Sequence, residues 1–291
     1  MKNDKCEEKP ILSICVPTYN RLKYLKELVP NILRQRDAIE NGSKMIEILI
    51  INNASNDGTK EYLAEVKDFG VTIIENTNNI GGDLNILLCA KVSNGAYVWI
   101  FGDDDILADG GMLRVLDIIS EGKAILIVTL GILSKTIHYN SYKAALRHLL
   151  PKYPQFMLWH SLISGNVFSR KIYNPDKHKI KILTNYGHMY GIVDGLRNMD
   201  GDIVILKKND ACVLVRSERA PFAIAPVDLE IKWVKYHLDI FRKFDLTYYR
   251  YVFYVYYFIF LPVKRMVQHR IWKNRSRYVV NTNNNPLRFV P

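Results

Sequence analysis

Residues 103 to 105 are three consecutive aspartates, placed directly after Tyr97-Val-Trp-Ile-Phe101 and Gly102. Adjacent carboxylates repel one another, and taking them out of water without a counterion is costly. A divalent cation that prefers oxygen resolves the repulsion, and a diphosphate can complete its coordination shell. The five apolar, β-prone residues before the glycine read as a strand buried on both faces, so the acids arrive together at its C-terminal end. Asp is also common in solvated turns, and the triplet alone fits a plain turn equally well. The segments upstream decide between the two.

Three more polar loops follow apolar strand-like runs. Ile11–Val16 leads into Pro17-Thr-Tyr-Asn-Arg21, with Pro17 expected to stop the strand. Ile46–Ile51 leads into Asn52-Asn-Ala-Ser-Asn-Asp-Gly-Thr59, and Val71–Ile74 into Asn76-Thr-Asn-Asn-Ile-Gly-Gly-Asp-Leu-Asn85. Helical spacing succeeds the first two loops. Leu22, Leu25, Leu28, Val29, Ile32 and Leu33 form one apolar face, which Pro30 should kink or break. Tyr62, Leu63 and Val66 form another, with Asn53 or Ser55 as its cap. Strand and helix alternating in this way predict a doubly wound, mostly parallel α/β sheet, which binds ligands across the loops at its strand C-termini. Ala124–Thr129 reads as a further buried strand, and Ile203–Leu206 and Cys212–Val215 as short ones.

At 291 residues and 48% hydrophobic, the chain can bury one α/β core and carry an appendage. The net charge of +11 is uneven: from Asp228 to Pro291 there are 12 Lys or Arg against 4 Asp or Glu. Four cysteines lie far apart without metal-type spacing, as expected of buried free thiols in a reducing compartment. Residues 1–9 are charged and lack an apolar core, so no secretory signal is expected there.

These motifs, in this order, resemble those of inverting family 2 glycosyltransferases of the GT-A fold. The resemblance rests on Val16-Pro-Thr-Tyr-Asn20, Asn52-Asn-Ala-Ser-Asn-Asp-Gly-Thr59, Asn79-Ile-Gly81 and Gly95-Ala-Tyr…Asp-Asp-Asp105, and covers roughly residues 10 to 115. It implies transfer of a sugar from a nucleotide-sugar, a UDP-sugar first, onto a hydroxyl with Mn²⁺ or Mg²⁺ as cofactor. The Phe-Gly-Asp-Asp-Asp form looks like the abequosyltransferase-like branch, hexosyltransferase-type enzymes that build bacterial surface polysaccharides.

By that resemblance Pro17, Tyr19, Asn20 and Arg21 belong to the first nucleotide loop, with Tyr19 near the base and Arg21 near the diphosphate. Asn52 and Asn53 replace the two acids usual in the second loop, and Asn53 falls at the base-reading position, where an amide both donates and accepts. Asn79 and Gly81 match the next turn, and Asp83 lies where a polar residue reaches the nucleotide. Counting from Gly95 and Tyr97 puts the metal-binding acid at Asp104, with Asp103 facing the ribose and Asp105 as second-sphere or alternative ligand. Counting Asp-x-Asp literally selects Asp103 and Asp105 instead.

In the acceptor half, Trp159-His-Ser-Leu-Ile-Ser-Gly-Asn-Val-Phe168 resembles a loop facing the donor sugar, with Asn166 and His160 as candidates. An inverting transfer needs a general base. Tyr186-Gly-His-Met-Tyr-Gly-Ile-Val-Asp-Gly195 offers Asp194, an isolated acid in an apolar stretch, and His188.

A catalytic domain is therefore expected over 1–225, with a nucleotide half at 10–120 and an acceptor half at 121–225. A helical, basic extension follows over 226–291. Nine of the fifteen residues from Leu246 to Phe260 are aromatic, and a cation-rich amphipathic stretch runs on to Arg277. The apolar run 251–263 is too short to span a bilayer, which needs about 20 residues. Residues 246–277 instead suit an anionic membrane surface, giving a cytoplasmic, peripheral enzyme with a lipid-linked or glycan acceptor. Packing on a second copy, a homo-oligomer through the aromatic tail, is the other use of this segment. No nucleic-acid module accompanies the cations, so nucleic acid is not an expected partner. The rival reading of the whole chain is a non-catalytic nucleotide-sugar-binding or assembly protein on the same fold.

Overall fold

The structure is a computed structural model and describes residues 9–153, 156, 160, 162–173, 187–197, 199, 201–215 and 238–246. Among the described residues, eight strands form one sheet. The first four are β1 (Leu12–Thr18), β2 (Ile46–Asn52), β3 (Val71–Glu75) and β4 (Tyr97–Ile100), and they pair in parallel. Helices α1 (Leu22–Asp37), α3 (Thr59–Val66) and α4 (Gly82–Val92) connect them, with the short turn α2 (Gly42–Met45) before β2. This is the expected doubly wound half: the inner strands β1, β2 and β4 are almost wholly buried and mainly apolar, whereas the edge strand β3 keeps only Val71 fully buried.

The second half is mixed. After the two-residue β5 (Ile106–Leu107) and α5 (Gly111–Ser120) come β6 (Ala124–Leu133), β7 (Ile137–Tyr139), α6 (Tyr142–Leu149), β8 (Asn166–Ser169), α7 (Gly187–Leu196), β9 (Asp202–Lys207) and β10 (Val213–Leu214). The sheet order is β3-β2-β1-β4-β8-β6-β9-β7: β8 inserts antiparallel between β4 and β6, while β6 and β9 run parallel. The core between sheet and helices holds Trp99, Phe101, Leu25, Leu28 and Ile32, all buried.

Three local expectations need correction. Strand β1 does not stop at Pro17 but continues to Thr18, pairing Pro17 with Ile51 and Thr18 with Asn52. Its pairing with β4 ends at Cys15, so the missing proline N–H removes no bond on that side. Of the kink or break expected at Pro30, the break does not occur: helix α1 runs on through it. Both Pro30 and Lys26, whose carbonyl loses its partner, are exposed, so water can serve that oxygen. Neither Asn53 nor Ser55 caps α3. Asp57 accepts from the Thr59 N–H at 3.2 Å and hydroxyl at 2.5 Å, and also from the Leu22 N–H at 3.0 Å. One carboxylate thus holds the starts of two helices. Burial alone would raise its pKa, but the bonds from Thr59 and Leu22 outweigh that and keep it below the ordinary value.

By internal contacts the chain divides into two compact units, Met1–Phe244 and Asp245–Pro291. The aromatic and basic stretch from residue 247 to 277, to which membrane contact and self-association were assigned, lies outside the described residues. No helix among the described residues is long and apolar enough to cross a membrane.

Candidate active site

Parallel pairing of β2, β1 and β4 brings their C-terminal loops to one edge of the sheet. There the Thr18 hydroxyl donates to Asp103 Oδ2 at 2.9 Å. Arg21 Nη1 lies 3.6 Å from Asp104 Oδ2, with the guanidinium also over the Tyr24 ring at 5.3 Å. Ser164 Oγ donates to Asp105 Oδ2 at 2.6 Å and itself accepts from the Gly102 N–H at 2.7 Å. The three acids, read from sequence as one group, are thus turned to three different partners. Gly102 shows where two of them reconverge. A side-chain carbon there would meet Asp105 Oδ2 at 3.2 Å, and Asp104 Oδ1 and Ser164 Oγ at 3.3 Å each.

The space that glycine leaves is bordered by hard oxygen donors, the set that Mg²⁺ and Mn²⁺ take. Asp103 and Asp104 are each only 9% exposed, so little water shields their charge. Three acids beside Arg21 leave a formal negative excess that a divalent cation would neutralise. No three His, Cys, Asp or Glu side chains gather at one point among the described residues. The pair Asp104 and Asp105 therefore fits a cation that draws the rest of its shell from ligand oxygens and water.

The nucleotide loops are braced by amides. Asn20 adopts φ 52°; its N–H donates to Ser55 Oγ and its Oδ1 accepts from the Asn56 N–H, both at 2.9 Å. That crosslink ties the first loop to the second and leaves Tyr19 42% exposed at the rim. Asn52 donates to Glu75 at 2.9 Å and accepts from the Ser55 N–H at 3.1 Å. Asn53 Oδ1 accepts from the Ile80 N–H at 3.0 Å and from Asn76 at 2.9 Å, and its amide donates to Asn79 Oδ1 at 2.8 Å. Asn79 Oδ1 also accepts from the Gly81 N–H at 2.8 Å. The carbonyl oxygen of Asn53 is therefore used within the loops, and what it can offer a bound base is one amide hydrogen. Asp83 sits in the first turn of α4, where a carboxylate complements the helix N-terminus.

On the acceptor side, Asn166 opens β8 and is fully buried. Its amide donates to the His160 carbonyl at 2.8 Å and touches Met189 Sδ at 3.5 Å. His160 is stacked on Phe156 at 5.3 Å and lies against Tyr142. Burial pushes its pKa down to about 4, with nearby His188 acting in the same direction and Asn166 against it. His188 is buried in the first turn of α7. Asp194 lies further along that helix and is ion-paired with Lys243. The structure thus gathers Asn166, His160 and His188 and gives Asp194 a separate partner. Thr18, Ser164 and Asp57 were not singled out from sequence, although all three lie inside the quoted motifs.

The sequence matches the profile of glycosyl transferase family 2 over residues 13–179. The chain belongs to that family. Abequosyltransferase RfbV of Salmonella typhimurium is 43% identical over 101 residues, 34% of this chain and 29% of that protein. Glycosyltransferase GlyG of Streptococcus pneumoniae is 31% identical over 101 residues, 34% of this chain and 32% of its own. The curated relatives are thus matched over about a third of their length. Among solved structures, S. aureus TarS 1-349 superposes with a TM-score of 0.57 at 14% identity, over 80% of this chain and 64% of that one. Mannosyltransferase PcManGT from Pyrobaculum calidifontis, solved with GDP-Man and Mn²⁺, gives 0.52 at 16% identity, over 81% and 64%. At such identities these two show the fold, which is the GT-A fold expected from the motifs.

Proposed function

We propose that this family 2 member is a metal-dependent, inverting glycosyltransferase that moves a sugar from a nucleotide-sugar to a hydroxyl of a lipid-linked or surface-glycan acceptor. The observation that carries the reading is the oxygen-lined space over Gly102, with Asp104 and Asp105 on it and Arg21 beside it. Asp104 and Asp105 would hold Mn²⁺ or Mg²⁺, which supplies positive charge for the departing diphosphate. Arg21 adds a fixed cation from the first loop. Tyr19 offers an exposed ring and Asn53 one amide hydrogen to the base, while Asp103, held by Thr18, faces the ribose. A UDP-sugar is the first donor to try: a TarS 1-349 structure was solved with UDP-GlcNAc, at a TM-score of 0.54.

We assign the proton of the attacking hydroxyl to His188. Asp105 is bonded to Ser164, two residues before Asn166 in the chain, and the Asn166 amide touches Met189, the residue after His188. Because burial keeps His160 uncharged at neutral pH, a proton taken up by His188 meets no second cation there. Asp194, the other candidate from sequence, already faces Lys243. The basic tail would hold the enzyme on the cytoplasmic face of an anionic membrane, near its acceptor.

The test is a panel of UDP-, dTDP-, GDP- and CDP-sugars, followed by hydrolysis or transfer with and without Mn²⁺, for wild type and Asp104→Ala. Turnover that needs the metal and disappears in Asp104→Ala is expected. Nucleotide binding without turnover on any donor would support the binding-protein reading, and full activity in excess EDTA would overturn the metal's role.

A further inference from the structure

Ser164 is fully buried, and both of its oxygens are used, the hydroxyl toward the nucleotide half and the carbonyl toward strands of both halves. Its carbonyl accepts from Trp99 Nε1 at 2.9 Å and from Thr129 Oγ1 at 2.7 Å. Trp99 belongs to β4 and Thr129 to β6, so the residue is pinned by both strands that flank β8. Its hydroxyl accepts from the Gly102 N–H at 2.7 Å and gives its one proton to Asp105 Oδ2 at 2.6 Å. A hydroxyl has a single proton and two lone pairs. With the proton on Asp105 and one lone pair on Gly102, its orientation is fixed. Its oxygen also stands 3.3 Å from the carbon position that Gly102 lacks, beside those of Asp104 and Asp105.

We infer that Ser164 is a positioning residue for the metal–diphosphate site, setting the direction of the Asp105 carboxylate so that Asp104 and Asp105 address one cation. The inference rests on the metal-dependent reading proposed above. Without the hydroxyl, Asp105 would lose the short bond that directs its Oδ2, and the buried Gly102 N–H would lose its acceptor, a group costly to leave unsatisfied. Ser164 lies two residues before Asn166, which opens β8, so the hydroxyl fixes Asp105 relative to the acceptor half and not only to the turn after β4.

The experiment measures Mn²⁺ binding directly, by the loss of the free-ion EPR signal on titrating full-length protein with Mn²⁺ in the presence of UDP. Wild type, Ser164→Ala, Asp105→Asn and the double variant are compared, with a thermal melt of each. Ser164→Ala should weaken Mn²⁺ at least tenfold, and should weaken it no further in the Asp105→Asn background, because the serine acts through that carboxylate. Ser164→Thr, which keeps the hydroxyl, should bind Mn²⁺ like wild type and covers the case in which the alanine variant fails to fold. Wild-type Mn²⁺ affinity in folded Ser164→Ala, or equal weakening in both backgrounds, would overturn the inference alone. A wild-type chain that binds no Mn²⁺ would overturn the metal reading and this inference with it.

Discussion

His188 and Asp194 share a helix but are placed for different work. His188 lies buried beside His160, whereas Asp194 pairs with Lys243. If the proton goes to His188, His188→Gln should lower transfer by roughly 10²-fold or more, the usual scale for a positioned base. Asp194→Asn should then cost less than tenfold, with donor binding unchanged in both. The reverse order of losses would move the base to Asp194. His160 gives a second expectation at this scale, on stability. Its folded pKa is about 4 against 6.5 in an ordinary setting, so between those values the unfolded chain takes up a proton that the folded chain refuses. Stability should therefore fall as the pH drops through that window, by up to about 3 kcal/mol from this residue. His160→Phe keeps the stacking on Phe156 but cannot titrate. Thermal melts from pH 7 to 4 should show the variant gaining on wild type as the pH falls; a constant gap would mean that His160 charges freely in the folded state.

At the level of elements, Gly95 shows how closely the strand edge opposite the site is packed. A carbon added there would meet the Ser13 nitrogen at 2.6 Å and the Leu12 carbonyl carbon at 2.9 Å, both backbone and unable to yield. Its own N–H donates to Ser13 Oγ, which in turn donates to Glu47. Gly95→Ala should cost about 1–3 kcal/mol, the range for overpacking. Urea denaturation would check it, and a midpoint equal to wild type would show that β1 and β4 can part there. The nucleotide half was legible because its inner strands β1, β2 and β4 are covered on both faces and so carry mainly apolar runs. Strand β8 was not. It is four residues long, its partners β4 and β6 are remote in sequence, and Asn166 at its start reads as a loop residue. The same separation explains the site: the acids announce themselves, but that Asp103 meets Thr18 and Asp105 meets Ser164 depends on which strands are neighbours. Asp57 was hidden differently, since a cap is a matter of reach within one loop, and Asn53 and Ser55 were equally plausible there by type.

For the whole molecule, charge separates the two compact units. The unit from Asp245 to Pro291 holds eight Lys or Arg against one acid, and so carries seven of the eleven net positive charges. The same stretch has nine aromatics between Leu246 and Phe260, too many for so short a segment to leave in water. Aromatics and cations together fit the headgroup layer of an anionic membrane, where each Lys or Arg near the surface gains roughly 1 kcal/mol. Across an interface between two copies the same cations would repel one another. Reversing Arg265, Arg270, Lys273, Arg275 and Arg277 to Glu should therefore release the protein from vesicles containing phosphatidylserine and lower transfer to a lipid-linked acceptor. Transfer to a short soluble acceptor should survive, because the proposed site is built from residues 17 to 194. The wild-type interaction should also weaken as salt is raised, since exposed charges are screened over about 10 Å at 0.1 M. Sedimentation with phosphatidylserine vesicles and with neutral ones, for both proteins, separates the possibilities. A reversed variant that still sediments, or a wild type indifferent to anionic lipid, would mean that the aromatics are covered by protein instead.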